Sequence, residues 1–386
     1  MMNFNYMGGT GGPVSSREPL RIEYVPRGGL GKLTIVNFLL GLVTLTIYRF
    51  WAKTNVRKHI WGCVHINGEP LEYTGKGGEL FMGALIVFGL FILPYVVLIS
   101  ALQITLGPEH PAIYVSQIAF VLIYFALWGA ALYRARRYQL SRTLWRGIRG
   151  SLEGSSLTYS LMYFLSYFAS AFSFGWATPR MNFLLQKRMV GDMKFGNLPF
   201  CFAGRSRPLY PAYAICWFLC LGVLVLFLLG VQSVSNAFGD FSFTELVKVF
   251  SEEPSDADDA KVNHAFMAIG GFFIALIFFS LVYPIIWAFY TAKELSTFAG
   301  FTSVDGARFR LNATAWSLIK LVVGNFFIWL LTLGIASPFV QQRLVRFLCD
   351  RLSVDGTVDI DKIRQSAAAL DKRGEGLADA FDVGGI

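Results

Sequence analysis

Uncharged apolar runs alternate along this chain with short aromatic and basic runs. Phe81–Leu102, Ala112–Leu132, Ala212–Val231 and Phe266–Tyr290 contain no charged residue. Each is long enough to cross a hydrocarbon core of about 30 Å as a helix. Three further apolar segments, Leu33–Tyr48, Leu157–Trp176 and Ala315–Ile335, have basic residues close to both ends. Numbered one to seven in chain order from Leu33–Tyr48, segments two (Phe81–Leu102) and three (Ala112–Leu132) are joined by the link GPEHP, so short that they must be antiparallel neighbours. Pro94 lies inside an apolar run and predicts a kink there. Residues 20–25, LRIEYV, predict a short strand.

The polar stretches between the helices end in turn signals. Asn67-Gly68, Glu153-Gly154, Gly196-Asn197, Asp305-Gly306 and Asp355-Gly356 each follow an apolar residue. Such pairs tolerate positive φ and favour two-residue hairpins. The pattern repeats. Residues 32–68 align without a gap on 320–356, with identities that include Lys32/Lys320, Asn37/Asn325, Thr44/Thr332 and Gly68/Gly356. A weaker copy runs from about Leu161 to Asn197. The repeats cover about 20–75, 150–203 and 305–360 within one multi-pass membrane domain, 19–362. Residues 1–18 read as a flexible leader, 234–262 as an acidic external loop, and 363–386 as a loose polar tail.

Composition places the chain in the membrane class. Charged residues are 15%, hydrophobic residues 54%, and mean hydropathy is +0.51, against about 25% charged in soluble domains. The net charge of +9 then fits cytoplasmic loops facing anionic lipid headgroups better than nucleic acid. Five Cys and four scattered His offer no metal-ligand spacing, and no cofactor is expected. The fold class is an all-α polytopic protein of about seven apolar helices, four of them spanning, with short cytoplasmic β-hairpins.

The positive-inside rule conflicts with seven simple crossings, because the loops after segments one, three and four are all basic. One arrangement removes the conflict. Segments two/three and five/six span, and segments one, four and seven have both ends on the cytoplasmic side, where the C-terminus also lies. Re-entrant and spanning versions of these three both stay open.

The candidate chemistry is sparse. Asn37 and Thr44 in segment one, Asn325 and Thr332 in segment seven, and Ser166 and Ser173 in segment four form polar stripes. Such stripes serve either helix packing or a shared polar cavity. Arg134, Arg136, Arg137, Arg142, Arg146 and Arg149 are candidates for gripping anionic headgroups; the alternative is topogenic charge. Nucleophile–base motifs and phosphate loops are missing, so no catalytic residue is assigned and no enzyme is expected.

The run TLTIYRFWAKTNVRKHIWGCVHINGEPLEYTGKGGELF and the later YQLSRTLWRGIRG resemble the YjgN-type family of bacterial inner-membrane proteins, a family of unknown function. The resemblance covers about residues 20–360. It implies a multi-pass protein of the inner membrane and supplies no site residues. Thr46 stands where the family tends to have Gly and Asn67 where it has Asp; both read as neutral, since the third copy keeps Gly334 and Asp355. The leading expectation is a transporter or channel-like protein. The alternative is a non-enzymatic scaffold or lipid-interacting protein that works through its basic cytoplasmic face.

Overall fold

The computed structural model describes residues 17–238 and 259–365. Most of the expected leader, acidic loop and tail therefore lies outside the described residues. Arg17–Pro19 forms strand β1, paired to Thr357–Asp359 (β13). Ile363 is buried in a cluster with Trp145 and Val358. Residues 234–238 and 259–262 are helical.

The chain is helical, but "all-α" is not an adequate description. The hairpins merge into one antiparallel meander of eight strands in chain order. They are β5 (Glu72–Tyr73), β6 (Thr143–Trp145), β7 (Ile148–Leu152), β8 (Met193–Phe195), β9 (Leu198–Phe202), β10 (Thr302–Val304), β11 (Ala307–Leu311) and β12 (Leu352–Asp355). A three-stranded sheet joins β2 (Ile22–Tyr24), β3 (Val64–Ile66) and β4 (Glu69–Pro70). Tight turns close the hairpins where two residues hold positive φ: Asn67-Gly68 at 51° and 82°, and Asp305-Gly306 at 46° and 85°. These are the primed turns whose twist matches the strands. Two expected turns differ. At Asp355-Gly356 the flanking strands β12 and β13 pair with β11 and β1 rather than with each other. The second hairpin turns at Arg146-Gly147 (φ 53° and 72°). Glu153-Gly154 is instead the exit from β7 into the next helix.

Helical excursions leave the sheets and return to them. The first is α1 (Leu30–Val43) and α2 (Arg49–Trp61). The second is α3 (Gly77–Val87), α4 (Leu93–Leu106) and α5 (Pro111–Arg142). Then come α6 (Ser156–Phe172) with α7 (Thr178–Gly191), α8 (Tyr210–Phe238) with α9 (Asp259–Phe301), and α10 (Ala315–Leu331) with α11 (Ser337–Cys349). The strands before and after each excursion pair with each other: Ile22 with Ile66, Glu72 with Leu144, Gly150 with Phe195, Thr302 with Phe202, and Arg308 with Asp355. Every excursion thus ends beside its own start.

The excursions differ in length. Among the described residues, Gly77–Leu106, Pro111–Arg142 and Arg207–Gly230 are long and apolar enough to cross a membrane. By contrast α1 has 14 residues, and α6 and α10 have 17 each, so they extend about 21–26 Å. The count of seven apolar helices is therefore not reproduced as such, and the basic runs expected as loops or interfacial segments are helices α2, α7 and α11. The expected kink at Pro94 takes the form of a π-helical turn, Phe88–Ile92, in which the Leu93 N–H donates to the Phe88 carbonyl. The wider turn makes room for a residue without an N–H.

Two compact units are distinguished. The first comprises residues 1–205, 298–312 and 332–386 and carries the sheets. The second comprises 206–297 and 313–331. Within the second, Tyr213 packs on Trp287 and Tyr290 at 5.3 and 5.1 Å between ring centres, and the Cys216 thiol donates to the Ile286 carbonyl. Cys216 is a packing residue there.

Candidate functional site

The short excursions turn by the same local chemistry. After α1, Leu45 and Thr46 hold φ 48° and 71°; after α6, Phe174 and Gly175 hold 52° and 91°; after α10, Leu333 and Gly334 hold 50° and 82°. At the first two turns the amide five residues along closes back: Thr46 N–H to Gly41 O and Gly175 N–H to Ser170 O, both 2.7 Å. This is the helix-ending motif with a left-handed residue just past the cap. A hydroxyl then clamps the start of the next helix. Thr44 Oγ1 donates to Leu40 O (2.7 Å) and accepts from the Tyr48 N–H (3.0 Å). Ser173 Oγ accepts from Ala177 N–H (2.8 Å) and Thr332 Oγ1 from Ala336 N–H (3.2 Å). Three residues of the polar stripes therefore hold turns.

The apolar residues at these turns stand clear of the protein. Val43 and Leu45 are 81% and 84% exposed, Phe172 and Phe174 are each 82%, and Leu331 and Leu333 are 80% and 86%. Large side chains this exposed at three matching positions call for an apolar surrounding.

The remaining stripe residues divide. Ser166 is buried in α6. That helix lies antiparallel to the second half of α5. Tyr133 meets Tyr159, the Ser160 hydroxyl bridges the Ala126 carbonyl and the Ala130 N–H, and Phe125 stacks on Tyr167. A Cβ on Gly129 would stand 2.7 Å from that of Tyr163. This is close small-residue packing. Asn325 belongs to the second unit, and its Oδ1 is buried without a hydrogen-bond partner among the described residues.

Asn37 does line a cavity. A groove of about 630 Å³ runs between α1, α2 and the turn leading into α11. Asn37 Nδ2 donates to the Ala52 carbonyl across the hairpin (3.4 Å), while its Oδ1 is buried and accepts no hydrogen bond. Its lining includes the apolar Phe38, Leu42, Leu45, Ile335 and Pro338 and the polar Arg49, Lys53 and Gln341, and none of the described lining residues is acidic. Phe50 and Trp51 pack against Phe81 at 5.6 and 5.7 Å, in the first apolar turn of α3. Arg49 and Lys53 are therefore level with the start of a candidate membrane helix. The α11 helix is held by Gln342, which donates to the Tyr24 hydroxyl at 2.8 Å. Burial, then the Cys63 thiol, pushes that hydroxyl up to about 12.

The arginine cluster is not one surface. Arg137 donates to the carbonyls of Leu152 and Gly154. Arg142 pairs with Glu79 at 2.8 Å, and Glu79 also accepts from the Tyr138 hydroxyl. Arg146 sits in a hairpin turn and pairs with Glu69 at 2.9 Å. Arg134 reaches Ser156 (3.4 Å). Arg136 is exposed on α5, and Arg149 contributes its backbone N–H to Gln365 (3.1 Å). Arg137 thus fastens α5 to β7, Arg142 and Arg134 join α5 to α3 and α6, and Arg146 joins a turn to β4. Arg49, Lys53 and Gln341 were missed as site residues. The first two were visible as a basic run, but only the return of the chain brings Gln341 beside them.

Residues 27–380 match a family described as "Bacterial protein of unknown function (DUF898)". The chain belongs to that family. The DUF898 chain is also 37% identical over 82 residues to "Inner membrane protein YjgN" of Salmonella typhimurium, a match covering 20% of this chain and 21% of that protein. It is 28% identical over 123 residues to the protein of the same name from Escherichia coli O157:H7, covering 32% of this chain and 28% of that one. The matches thus span less than a third of either relative. No solved structure matches the chain.

Proposed function

We propose that this DUF898 protein is a multi-pass protein of the bacterial inner membrane that engages lipid from its cytoplasmic face without carrying out chemistry. The observation that carries the reading is the pairing of the strands flanking each short excursion. Both ends of α1/α2, α6/α7 and α10/α11 then lie on the sheet side, and the exposed apolar tips enter the leaflet from there. The long excursions cross and return. The basic helices α2, α7 and α11 lie on the sheet side, as the positive-inside rule asks of the cytoplasm. The names of the relatives support the inner membrane. The three short excursions are read as copies of one duplicated unit.

Transport, expected first from the sequence, relied on one polar cavity shared by Asn37, Ser166 and Asn325. The groove takes in Asn37 but not Ser166, so that cavity does not support it. Purified full-length protein in liposomes separates the two. The lipid reading predicts headgroup-dependent binding with no flux of entrapped ions or solutes. Flux above that of empty liposomes would overturn it.

A further inference from the structure

Asn37 brings one unmet group to the groove in the first unit. The residue is only 8% exposed. Its Nδ2 donates to the Ala52 carbonyl (3.4 Å). That leaves Oδ1 as the orphan, buried and accepting no hydrogen bond among the described residues. A buried acceptor left unmet is destabilising, and a ligand that carries a donor relieves it. The ligand needs no charge. Arg49 and Lys53 also line the groove, and both already have partners in the protein; the Arg49 guanidinium lies 5.0 Å from the centre of the Phe50 ring. None of the described lining residues is acidic, so an ammonium finds no counter-charge there. One helical turn beyond Asn37, on the same face of α1, the groove is lined by Gly41. An added Cβ at Gly41 would meet nothing within 4 Å. The lining also includes Leu42 and Leu45, and Leu45 belongs to the exposed apolar turn.

We infer that this groove binds an uncharged lipid alcohol of the diacylglycerol class, whose free hydroxyl donates to Asn37 Oδ1. The inference rests on the proposed lipid engagement and names the class of lipid. One unmet acceptor in a largely apolar lining calls for an apolar body with a single donor, and a diacylglycerol has one hydroxyl and no charge. A phosphodiester adds a charge for which the groove has no unengaged cation, and a simple fatty ester lacks the donor. The volume of about 630 Å³ is ordinary for a small-molecule site, about 300–1,000 Å³. It takes the glycerol unit and the first part of the acyl chains. The rest stays in the leaflet that the turn at Leu45 is proposed to enter. Gly41 leaves room for the occupant, and a larger side chain there fills it.

The test uses the full-length protein in nanodiscs of phosphatidylcholine, a lipid with no hydroxyl or N–H donor. Two photoactivatable probes are compared, a diacylglycerol and its 3-O-methyl ether, which differ only in the donor. Crosslinks to residues 34–56 are counted by mass spectrometry, and the melting temperature is followed for every variant. The diacylglycerol is expected to label this segment about fivefold or more over the ether. Asn37→Leu should remove that difference. Gly41→Leu should lower labelling by both probes several-fold without lowering the melting temperature, since Leu is the better helix former and enters open space. Unlabelled phosphatidylmethanol, an anionic lipid without a headgroup donor, should not compete. Equal labelling of the unmodified protein by alcohol and ether, unchanged labelling in Gly41→Leu, or displacement by phosphatidylmethanol would each overturn the assignment. If Asn37→Leu does not fold, the unmodified protein and Gly41→Leu decide. Nanodiscs expose both faces, so these results do not depend on which face the sheet occupies. Solute flux in liposomes would overturn the proposed function and leave a labelled site standing; equal labelling would remove the site and leave that function standing.

Discussion

Thr46 is the residue at which family comparison and geometry part. As a substitution for Gly it looked neutral. In the structure it holds φ 71°, a region that costs a β-branched residue about 1–2 kcal/mol. Thr46→Gly should therefore stabilise the protein by roughly 1 kcal/mol, and Gly175→Ala (φ 91°) should destabilise it by about as much. Opposite shifts in denaturation midpoint check both; equal-signed shifts would remove the turn assignment. Asn67 at φ 51° lies in a region that Asn tolerates. Cys349 provides a titration at the same scale. Burial, then Asp350, pushes its thiol up to about 11. The native state thus favours the neutral thiol. That contribution is fully present below the ordinary thiol range near 9 and is lost as pH rises from there towards 11. A thiol reagent at pH 8 should modify exposed Cys201 and reach Cys349 only after unfolding; equal rates on the folded protein would contradict its burial.

At the level of elements, the pattern of apolar and polar positions located the apolar helices but not α2, α7 and α11, and it located three of the five turns. It failed at Asp355-Gly356, whose flanking strands pair elsewhere, and at Glu153-Gly154, because a Gly after an acidic residue looks the same whether it closes a hairpin or starts a helix. The true turn, Arg146-Gly147, was hidden inside a run of arginines read only for its charge. Pairing between flanking strands was not legible at all, since it joins residues such as Gly150 and Phe195 across an intervening helical hairpin. The clamp of Arg142 and Tyr138 on Glu79 was hidden for the same reason. Its ion pair is largely shielded, with side-chain exposures of 12% and 24%, so Glu79→Ala should cost about 2 kcal/mol in stability. The α5/α6 contact is equally testable. Gly129→Val places bulk against Ser160 and Tyr163 and should cost about 1–3 kcal/mol, read as a lower melting temperature. An unchanged value would mean the helices do not meet there.

For the whole molecule, each helical excursion returns beside the strand that precedes it, and the proposed membrane placement accounts for the recurrence of basic residues by putting each return on the cytoplasmic side. On the proposed placement, a single crossing between β2 and β3, β7 and β8 or β11 and β12 would put paired strands on opposite sides of the bilayer, so the short excursions are proposed to re-enter rather than span. The most direct measurement is cysteine labelling with a membrane-impermeant maleimide in cells with a permeabilised outer membrane, on a background freed of native cysteines. Glu109→Cys marks the far end of the first long excursion. Gly191→Cys marks the end of α7, where an added Cβ meets nothing within 4 Å. The account predicts that Glu109→Cys reacts from outside and Gly191→Cys only after lysis. Labelling of Gly191→Cys in unlysed cells would contradict it.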